Sequence, residues 1–463
     1  MNNFSNTIAA ISTPPGKGGV AIIRISGNNA LDIASRIFRP VNKKSFKNTV
    51  PRMQIRGEIF RGEEMIDDGM AAYFKAPASY TGEDTVEIYC HGGRLVTSAV
   101  LEAVLSAGAT LASAGEFTRR AFINGKLSLV EAESIGNLLE AESLAQIKLA
   151  SKNSRTHLTL KIEEIRELLT SLLSSIYARI DYPDEDLGNF GDEEAVKILL
   201  EAKKKAEELL STYRTGKAVT DGIKTVICGK PNVGKSSIYN LLLGRDAAIV
   251  TDIEGTTRDV LTDKIPIGKV MLNLSDTAGL REVTSDPIEK IGIERSFEKI
   301  RDAELILTVF DLSRNFDAQD EALIENIADV DSPKIAILNK SDLPKKFDLK
   351  EISDKFDAIL TVSAKNASYD FASELSRTVD AMFTDERINV GNDAVISSAR
   401  QNSALTKALE LITSAISAYG LGISQDAVSS DIERALGEIA ELDGRETSEA
   451  IVNDIFSKFC VGK

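Results

Sequence analysis

The stretch that most constrains this chain is Gly229-Lys230-Pro231-Asn232-Val233-Gly234-Lys235-Ser236, a G-x-x-x-x-G-K-S spacing. A largely apolar run, Ile223 to Cys228, leads into it, and the apolar-rich Ile238-Tyr239-Asn240-Leu241-Leu242-Leu243 follows. That order predicts strand, glycine loop and helix, the context in which this motif cradles phosphate. Gly229 and Gly234 let the backbone turn its N–H groups inward around an anion at the positive end of the helix. Lys235 is placed to reach the β- and γ-phosphates, and the Ser236 hydroxyl to bind Mg²⁺. Asn232, Val233, Gly234 and Ser237 complete the candidate phosphate-binding set.

Further nucleotide elements arrive in order. Val270 to Leu274 reads as a buried strand that leads to Asp276-Thr277-Ala278-Gly279. There Asp276 can hold Mg²⁺ through water, and the Gly279 N–H can sense the γ-phosphate. Ile335 to Leu338 leads into Asn339-Lys340-Ser341-Asp342. The Asp342 carboxylate would accept from guanine N1–H and the exocyclic amine. Adenine offers neither in that arrangement and leaves a charge unpaired, so discrimination reaches roughly 10⁴-fold. Ser363-Ala364-Lys365 follows a strand and would close over the base. Four motifs in order and on strand ends point to a guanine-nucleotide domain. Between the phosphate loop and Asp276, where a switch loop belongs, lies Asp252-Ile253-Glu254-Gly255-Thr256-Thr257-Arg258-Asp259. Thr257 is the candidate second Mg²⁺ contact and γ-phosphate sensor. Leu280 stands where Ras-like enzymes carry a water-orienting glutamine. Leucine cannot orient water, so hydrolysis needs another water-positioner and another positive charge. Arg258 and Arg281 are either fingers or switch-surface charges.

The remainder bounds the architecture. At 463 residues, with 43% hydrophobic and 27% charged residues, the chain suits a soluble globular protein of two to four domains. Its formal net charge of -15 argues against blanket nucleic-acid binding while allowing a local basic patch. Cys90, Cys228 and Cys460 lie far apart without metal spacing, so no disulfide or zinc framework is expected. The opening residues hold no long apolar stretch and no run approaches membrane-spanning length, so a cytosolic protein is expected.

Strands are predicted at Ile8–Ile11, Val20–Ile25, Met70–Phe74 and Thr85–Tyr89, and a helix at Leu95–Ser106, giving a compact α/β domain over the first ~120 residues. Pro14 to Gly19 reads as a turn. Arg24, a charge inside an apolar strand, calls for a partner or a ligand. Eight cations between Arg36 and Arg61, with Glu58 the only acid, are either a solvated face or a phosphate-contacting patch. Leu129 to Tyr182 carries a stripe at helical spacing (Ile135, Leu138, Leu139, Ala141, Leu144, Ile147, Leu149) that reads as bundle core. Seven acids and no base occupy Asp181 to Glu194, and Asp192 is a candidate N-cap for a helix running to about Tyr213. Helical pattern resumes after about Asn402. The fold class is therefore α/β: an N-terminal α/β domain (1–120), a helical bundle domain (121–215 and 386–463), and a Ras-like P-loop GTPase domain (216–385) inserted into it. Thr215-Gly216 and Asp385 to Asp393 are the expected hinges.

Several of these stretches together resemble the tRNA-modification GTPases of the MnmE (TrmE) family, over essentially the whole chain. They are the Gly255-Thr256-Thr257-Arg258-Asp259 switch, Asp276-Thr277-Ala278-Gly279-Leu280-Arg281-Glu282, Ile291-Gly292-Ile293-Glu294-Arg295 and the tail Phe459-Cys460-Val461-Gly462-Lys463. Thr81-Gly82-Glu83-Asp84 and Gly115-Glu116-Phe117-Thr118 belong with them. The resemblance implies a dimeric GTPase that works with the flavoprotein MnmG on the wobble uridine of certain tRNAs. It adds a carboxymethylaminomethyl-type group, using a 5-formyl- or methylene-tetrahydrofolate. The residues matching the family's folate contacts are Arg24, Glu87, Lys126 and Lys463. Cys460 matches the tail cysteine, read either as a reactive group or as a small packed hydrophobe. The family also implies a K⁺ ion in place of an arginine finger, held by Asn232 and by loop carbonyls matching Thr251, Ile253 and Thr256. A positioned cation of this kind is worth roughly 10³ to 10⁵ in rate. Glu289 matches the water-organising glutamate, with one extra residue between it and Asp276 relative to the family's pattern. A reading from another class, a ribosome-assembly GTPase acting as a binding switch, would call for an appended RNA-binding loop of the G-x-x-G kind, which the C-terminal region lacks. A third reading makes the first domain a dimerisation module without a ligand.

Overall fold

The structure is a computed structural model that describes residues 6–155, 157–182, 191–244, 262–275, 300–366 and 369–462. The chain forms two compact units, each drawn from separated stretches. The first takes Met1–Leu139, Asn153–Leu199 and Glu410–Lys463; the second takes Glu140–Lys152 and Leu200–Leu409. The architecture is mixed α/β.

A seven-stranded sheet organises the first unit: β1 (Ile8–Ile11), β2 (Gly18–Ser26), β3 (Phe38–Pro40), β4 (Gln54–Arg61), β5 (Glu64–Phe74), β6 (Thr85–Gly92) and β7 (Thr110–Leu111). Their order is β3-β4-β5-β6-β2-β1-β7, antiparallel except for the β1–β7 pair. The expected Pro14–Gly19 turn is shorter, because Gly18 already belongs to β2 and lies so close to Gly92 that a Cβ there would collide with it. Along β2, Ala21, Ile23 and Ile25 are buried against the helices Ala30–Ile37 and Arg94–Ser106. Strand alternation turns Arg24 to the opposite face.

The Leu129–Tyr182 stretch divides into three helices, Leu129–Leu139, Leu144–Asn153 and His157–Asp181. Reciprocal capping boxes cause two of the starts. Ser128 Oγ accepts from Glu131 N while Glu131 Oε2 accepts from Ser128 N, and Ser143 and Gln146 repeat the pattern. The expected stripe is corrected accordingly: Leu138, Leu139, Leu144 and Ile147 are exposed, and Leu149 alone of the seven is buried. The bundle core sits instead on Leu158, Ile162, Ile165, Leu169, Leu172 and Ile176, a 3.5-residue spacing. That helix packs against Gln425–Asp443, which buries Val428, Ile432, Ala435 and Ile439. Asp192 is the first residue of the helix Asp192–Ser211 and its carboxylate accepts from Gln425 Nε2 at 3.0 Å, so it bridges helices.

The second unit carries a six-stranded sheet: β8 (Ile223–Cys228), β9 (Thr262–Ile267), β10 (Val270–Ser275), β11 (Leu305–Asp311), β12 (Lys334–Asn339) and β13 (Ala358–Thr361). The order is β13-β12-β11-β8-β10-β9, parallel except for the β9–β10 hairpin. The strands read as near-continuous apolar runs, as buried parallel strands must. Its core includes Leu149, Ala218, Val219, Ile388, Val390 and Val395. The segments expected as hinges are bonded to each other. Thr215 Oγ1 accepts from Asp385 N and Thr212 Oγ1 from Ile396 N, both at 3.0 Å. Gly216 lies in the helix Tyr213–Thr220, where a Cβ would collide with the Ile396 carbonyl.

Candidate functional site

At the end of β8 the chain turns through Gly229, whose φ of 148° and approach to the Val309 carbonyl leave no room for a Cβ. Gly234, with φ 101°, is the N-cap of the helix Lys235–Leu243, and a Cβ there would run into Asn339 Nδ2. The first N–H groups of that helix have no intrahelical acceptor and face the loop. Lys235 folds over the loop, its Nζ donating to the carbonyls of Gly229 and Lys230, each at 2.9 Å. Burial pushes the Lys235 ammonium below the usual lysine range, and a neighbouring anion would favour its charged form. Ser236 and Ser237 are exposed in the first turn.

Asn339, at the end of β12, is 2% exposed and joins three segments. Its Nδ2 donates to the Val233 carbonyl at 2.9 Å and its Oδ1 accepts from Ala364 N at 3.0 Å. Lys340 Nζ donates to the Asn232 carbonyl at 2.9 Å and to Asp311 Oδ2 at 2.6 Å. Asp342 Oδ1 accepts from Ser363 Oγ at 2.7 Å. Hydrogen bonds from Ser363 and its own backbone, with Lys365 and Lys340 nearby, hold the Asp342 carboxyl below the usual range. It is therefore a pure acceptor at neutral pH. All these groups stand at the carboxyl ends of parallel strands, where open α/β sheets bind ligands. A cradle that a Cβ would fill, a lysine over it and an acceptor-only carboxylate suit a guanine nucleoside phosphate. Asn232 and Ser236 are the described candidates for the K⁺ and Mg²⁺ ligand sets. The other nucleotide candidates, Thr251, Asp252, Ile253, Glu254, Gly255, Thr256, Thr257, Asp276, Thr277, Ala278, Gly279 and Glu289, lie outside the described residues, as do Arg258, Leu280, Arg281 and Lys463.

A second cluster forms in the first unit. Antiparallel register sets Arg24 opposite Glu87, and Arg24 Nε donates to Glu87 Oε1 at 3.0 Å. Tyr89 OH donates to Glu87 Oε2 at 2.7 Å. Burial and the Glu87 carboxylate push the Tyr89 phenol up to about 12, so it stays a donor. The Arg24 guanidinium lies 5.4 Å from the Tyr80 ring centroid and 5.6 Å from that of Phe117. The C-terminal tail arrives at the same place. Val461 bridges Ala114, and Ser12 Oγ donates to the Gly462 carbonyl at 2.9 Å, with Arg24 Nη1 3.5 Å from that oxygen. Lys126 Nζ donates to the Pro77 carbonyl at 3.1 Å and its stem lies against Gly82, on the loop that carries Tyr80. Cys460 is exposed, which removes the packed-hydrophobe reading; Cys90 and Cys228 are buried, and burial pushes both thiols up to about 11.

Sequence reasoning missed Arg120. Fully buried, it pairs with Glu83 at 3.2 Å and Glu116 at 2.8 Å, so the Thr81–Asp84 and Gly115–Thr118 motifs meet at one guanidinium. The signal was there, an acid four residues before an arginine in a short helix. Half of the eight cations between Arg36 and Arg61 are paired with acids, while Arg36 and Arg52 donate to the carbonyls of Ala107 and Ala78. Arg39 pairs with Glu63, Lys47 with Asp32, Arg56 with Asp68, and Arg61 with Glu64 and Glu102. The ligand atoms of Asp67, Asp68 and His91 lie within 4.8 Å of one another, but the acids are engaged, Asp67 by His91 and Asp68 by Arg56. No described helix is long and apolar enough to cross a membrane.

Comparison with known proteins agrees with this geometry. The family described as GTP-binding protein TrmE N-terminus matches residues 7–126, and the MnmE helical domain family matches residues 129–460. The tRNA modification GTPase MnmE of Thermoanaerobacter pseudethanolicus is 37% identical over 460 residues, covering 99% of each chain. Its counterpart in Clostridioides difficile is 38% identical over 460 residues, covering 99% of this chain and all of the relative. A crystal structure of an Aquifex aeolicus Era variant bound to GDP.AlF4- aligns at 26% identity over 41% of this chain and 66% of that one, with a TM-score of 0.27. With relatives this similar over their full length, the chain belongs to the tRNA modification GTPase MnmE family.

Proposed function

We propose that this chain is a cytoplasmic GTP-hydrolysing enzyme of tRNA modification. It works as a K⁺-stimulated homodimer with MnmG and a tetrahydrofolate one-carbon donor to place a carboxymethylaminomethyl-type group on C5 of wobble uridines. The observation that carries the nucleotide half is the Asn339 junction, where one buried amide ties the phosphate loop to the base-reading and base-closing segments. Asn232, Val233, Gly234, Lys235, Ser236 and Ser237 hold the phosphates, and Asn339, Lys340, Asp342, Ser363, Ala364 and Lys365 hold the guanine. Ser236 and Thr257 are the Mg²⁺ ligands, and Asn232 with the carbonyls of Thr251, Ile253 and Thr256 forms the K⁺ cage. When bound, the two ions supply the positive charge that a phosphoryl transfer needs. Leu280 has no polar group to orient water, and the likeness to the family gives that role to Glu289.

The folate half rests on Arg24, Glu87, Lys126 and Lys463. A guanidinium flanked by Tyr80 and Phe117, with a carboxylate and a phenol beside it, suits a pterin carrying a glutamate tail. Cys460 stands in the tail next to that cluster. The division into 1–120, 121–215, 216–385 and 386–463 is part of the same reading. GTP turnover is the test, measured in K⁺ and in Na⁺ at equal ionic strength. Turnover several-fold faster in K⁺ is expected; equal rates remove the cation role.

A further inference from the structure

We propose that Asp311 is a positioning residue for the nucleotide site: acting through Lys340, it holds the Asn232 turn of the phosphate loop in its left-handed backbone conformation. The inference rests on the guanine-nucleotide reading above and concerns a residue that reading does not use.

Asp311 closes β11 directly beside Asn339, its cross-strand neighbour in the parallel ladder. It is 5% exposed, and a carboxylate so buried must be satisfied. Oδ1 accepts from Ser313 N at 3.0 Å and from Ser313 Oγ at 2.6 Å. Oδ2 accepts from Lys340 Nζ at 2.6 Å, and Arg314 Nε lies 3.3 Å from the same oxygen. Of these partners Lys340 is the one that reaches the phosphate loop, through its 2.9 Å hydrogen bond to the Asn232 carbonyl.

The backbone supplies the second observation. Asn232 and Lys340 have φ of 64° and 65°. Among the described residues the other non-glycine positions with positive φ are Lys43 and Arg52, which are in the other unit. A left-handed residue costs about 1–2 kcal/mol, less for asparagine than for lysine. Such strain persists where the surroundings over-determine it. Here two strained residues are joined by one hydrogen bond, and the shared ammonium is anchored by a buried carboxylate. Burial pushes the Asp311 carboxyl up, but hydrogen bonds from Lys340 and Ser313 outweigh it and hold it below the usual range, so the anchor is charged at working pH. The base-reading loop and the Asn232 turn thus share one brace.

Binding of a fluorescent GDP to the full chain tests this, for the wild type, Asp311→Asn, Lys340→Met and the double variant, with IDP as competitor. Asp311→Asn keeps the volume and loses the charge. It is expected to weaken GDP binding at least about tenfold. The GDP/IDP ratio stays unchanged, because Asp342 reads the amine. In the Lys340→Met background the same change adds less than about twofold, the mark of a shared path. Effects that multiply, an altered GDP/IDP ratio or an unchanged affinity would each overturn the proposal. Ser313→Ala, which loosens the same carboxylate without touching Lys340, is expected to cost much less than Asp311→Asn; an equal loss also overturns it. Should Asp311→Asn not fold, hydrogen exchange on nucleotide-free Lys340→Met decides: exchange at Asn232–Gly234 rises if the brace exists and is unchanged if it does not. Preference of the wild type for GDP over ADP tests the guanine reading separately, and its loss would leave the Asp311 comparison standing.

Discussion

Arg120 shows how much one side chain can carry. Its guanidinium donates to Glu83, Glu116, the Asn6 carbonyl and Asn6 Oδ1, all within 3.3 Å. Glu83 in turn accepts from Ser26 Oγ at 2.8 Å, linking the cluster to β2 two residues from Arg24. Arg120→Met fills the space but leaves two largely buried carboxylates without their cation. Breaking one partner of a buried pair costs about 3–5 kcal/mol. Urea denaturation of the first unit is expected to report a loss in that range, with GDP binding by the second unit unchanged. A loss below about 1 kcal/mol, the worth of an exposed pair, would mean that the cluster is solvated.

At the scale of elements, the C-terminal tail depends on short contacts across the chain. The helix Glu449–Ser457 packs Val452 and Phe456 on Leu129 and Ala132, and Phe459 follows with its ring 5.5 Å from that of Phe456. Gly136 lies against the Phe459 ring, and Gly115 and Gly462 sit where a Cβ would collide with the carbonyls of Phe456 and Ile11. Gly462 also has φ 102°. Gly462→Ala is therefore expected to lift the last residues from Ser12 and Arg24 while the helix stays docked. Reduced-folate binding then falls about tenfold or more, the worth of a charge-assisted contact, and GTP turnover persists. Equilibrium binding of 5-formyl-tetrahydrofolate measures this, with Arg24→Ala as the variant expected to lose binding outright. Unchanged affinity in Gly462→Ala would detach the tail from the folate reading; unchanged affinity in Arg24→Ala would remove the site.

For the whole molecule, each unit has its own core, and each is completed by chain from far away in sequence. The nucleotide core extends beyond the inserted segment, since Leu149 and the Ile388–Val395 stretch help to close it. Calorimetry of the intact chain is expected to resolve two transitions. GDP at 100 times its Kd binds the folded second unit and stabilises it by about 2.7 kcal/mol, leaving the other transition in place. Both transitions moving together would show that the units unfold as one. By the same logic an excised 216–385 fragment would melt below a protein that retains Leu149 and residues 386–396.

The phosphate loop, the base-reading tetrapeptide and the strands that carry them were legible in the chain itself. They depend on local backbone demands: glycines at positive φ in the loop and apolar runs in the strands. The break in the 129–182 stretch is written in the sequence too, in the Ser128/Glu131 and Ser143/Gln146 boxes, although the hydrophobic spacing runs on across it. What the sequence could not reveal is which distant residues meet. Arg24 finds Glu87 by strand register and Gly462 across 438 positions. Arg120 gathers two motifs, and Asp311 reaches the Asn232 turn through Lys340. Local preference writes the elements. Long-range partners are chosen by the burial of charge, which acts once the chain has closed and forces each guanidinium, ammonium and carboxylate taken out of water to find its opposite.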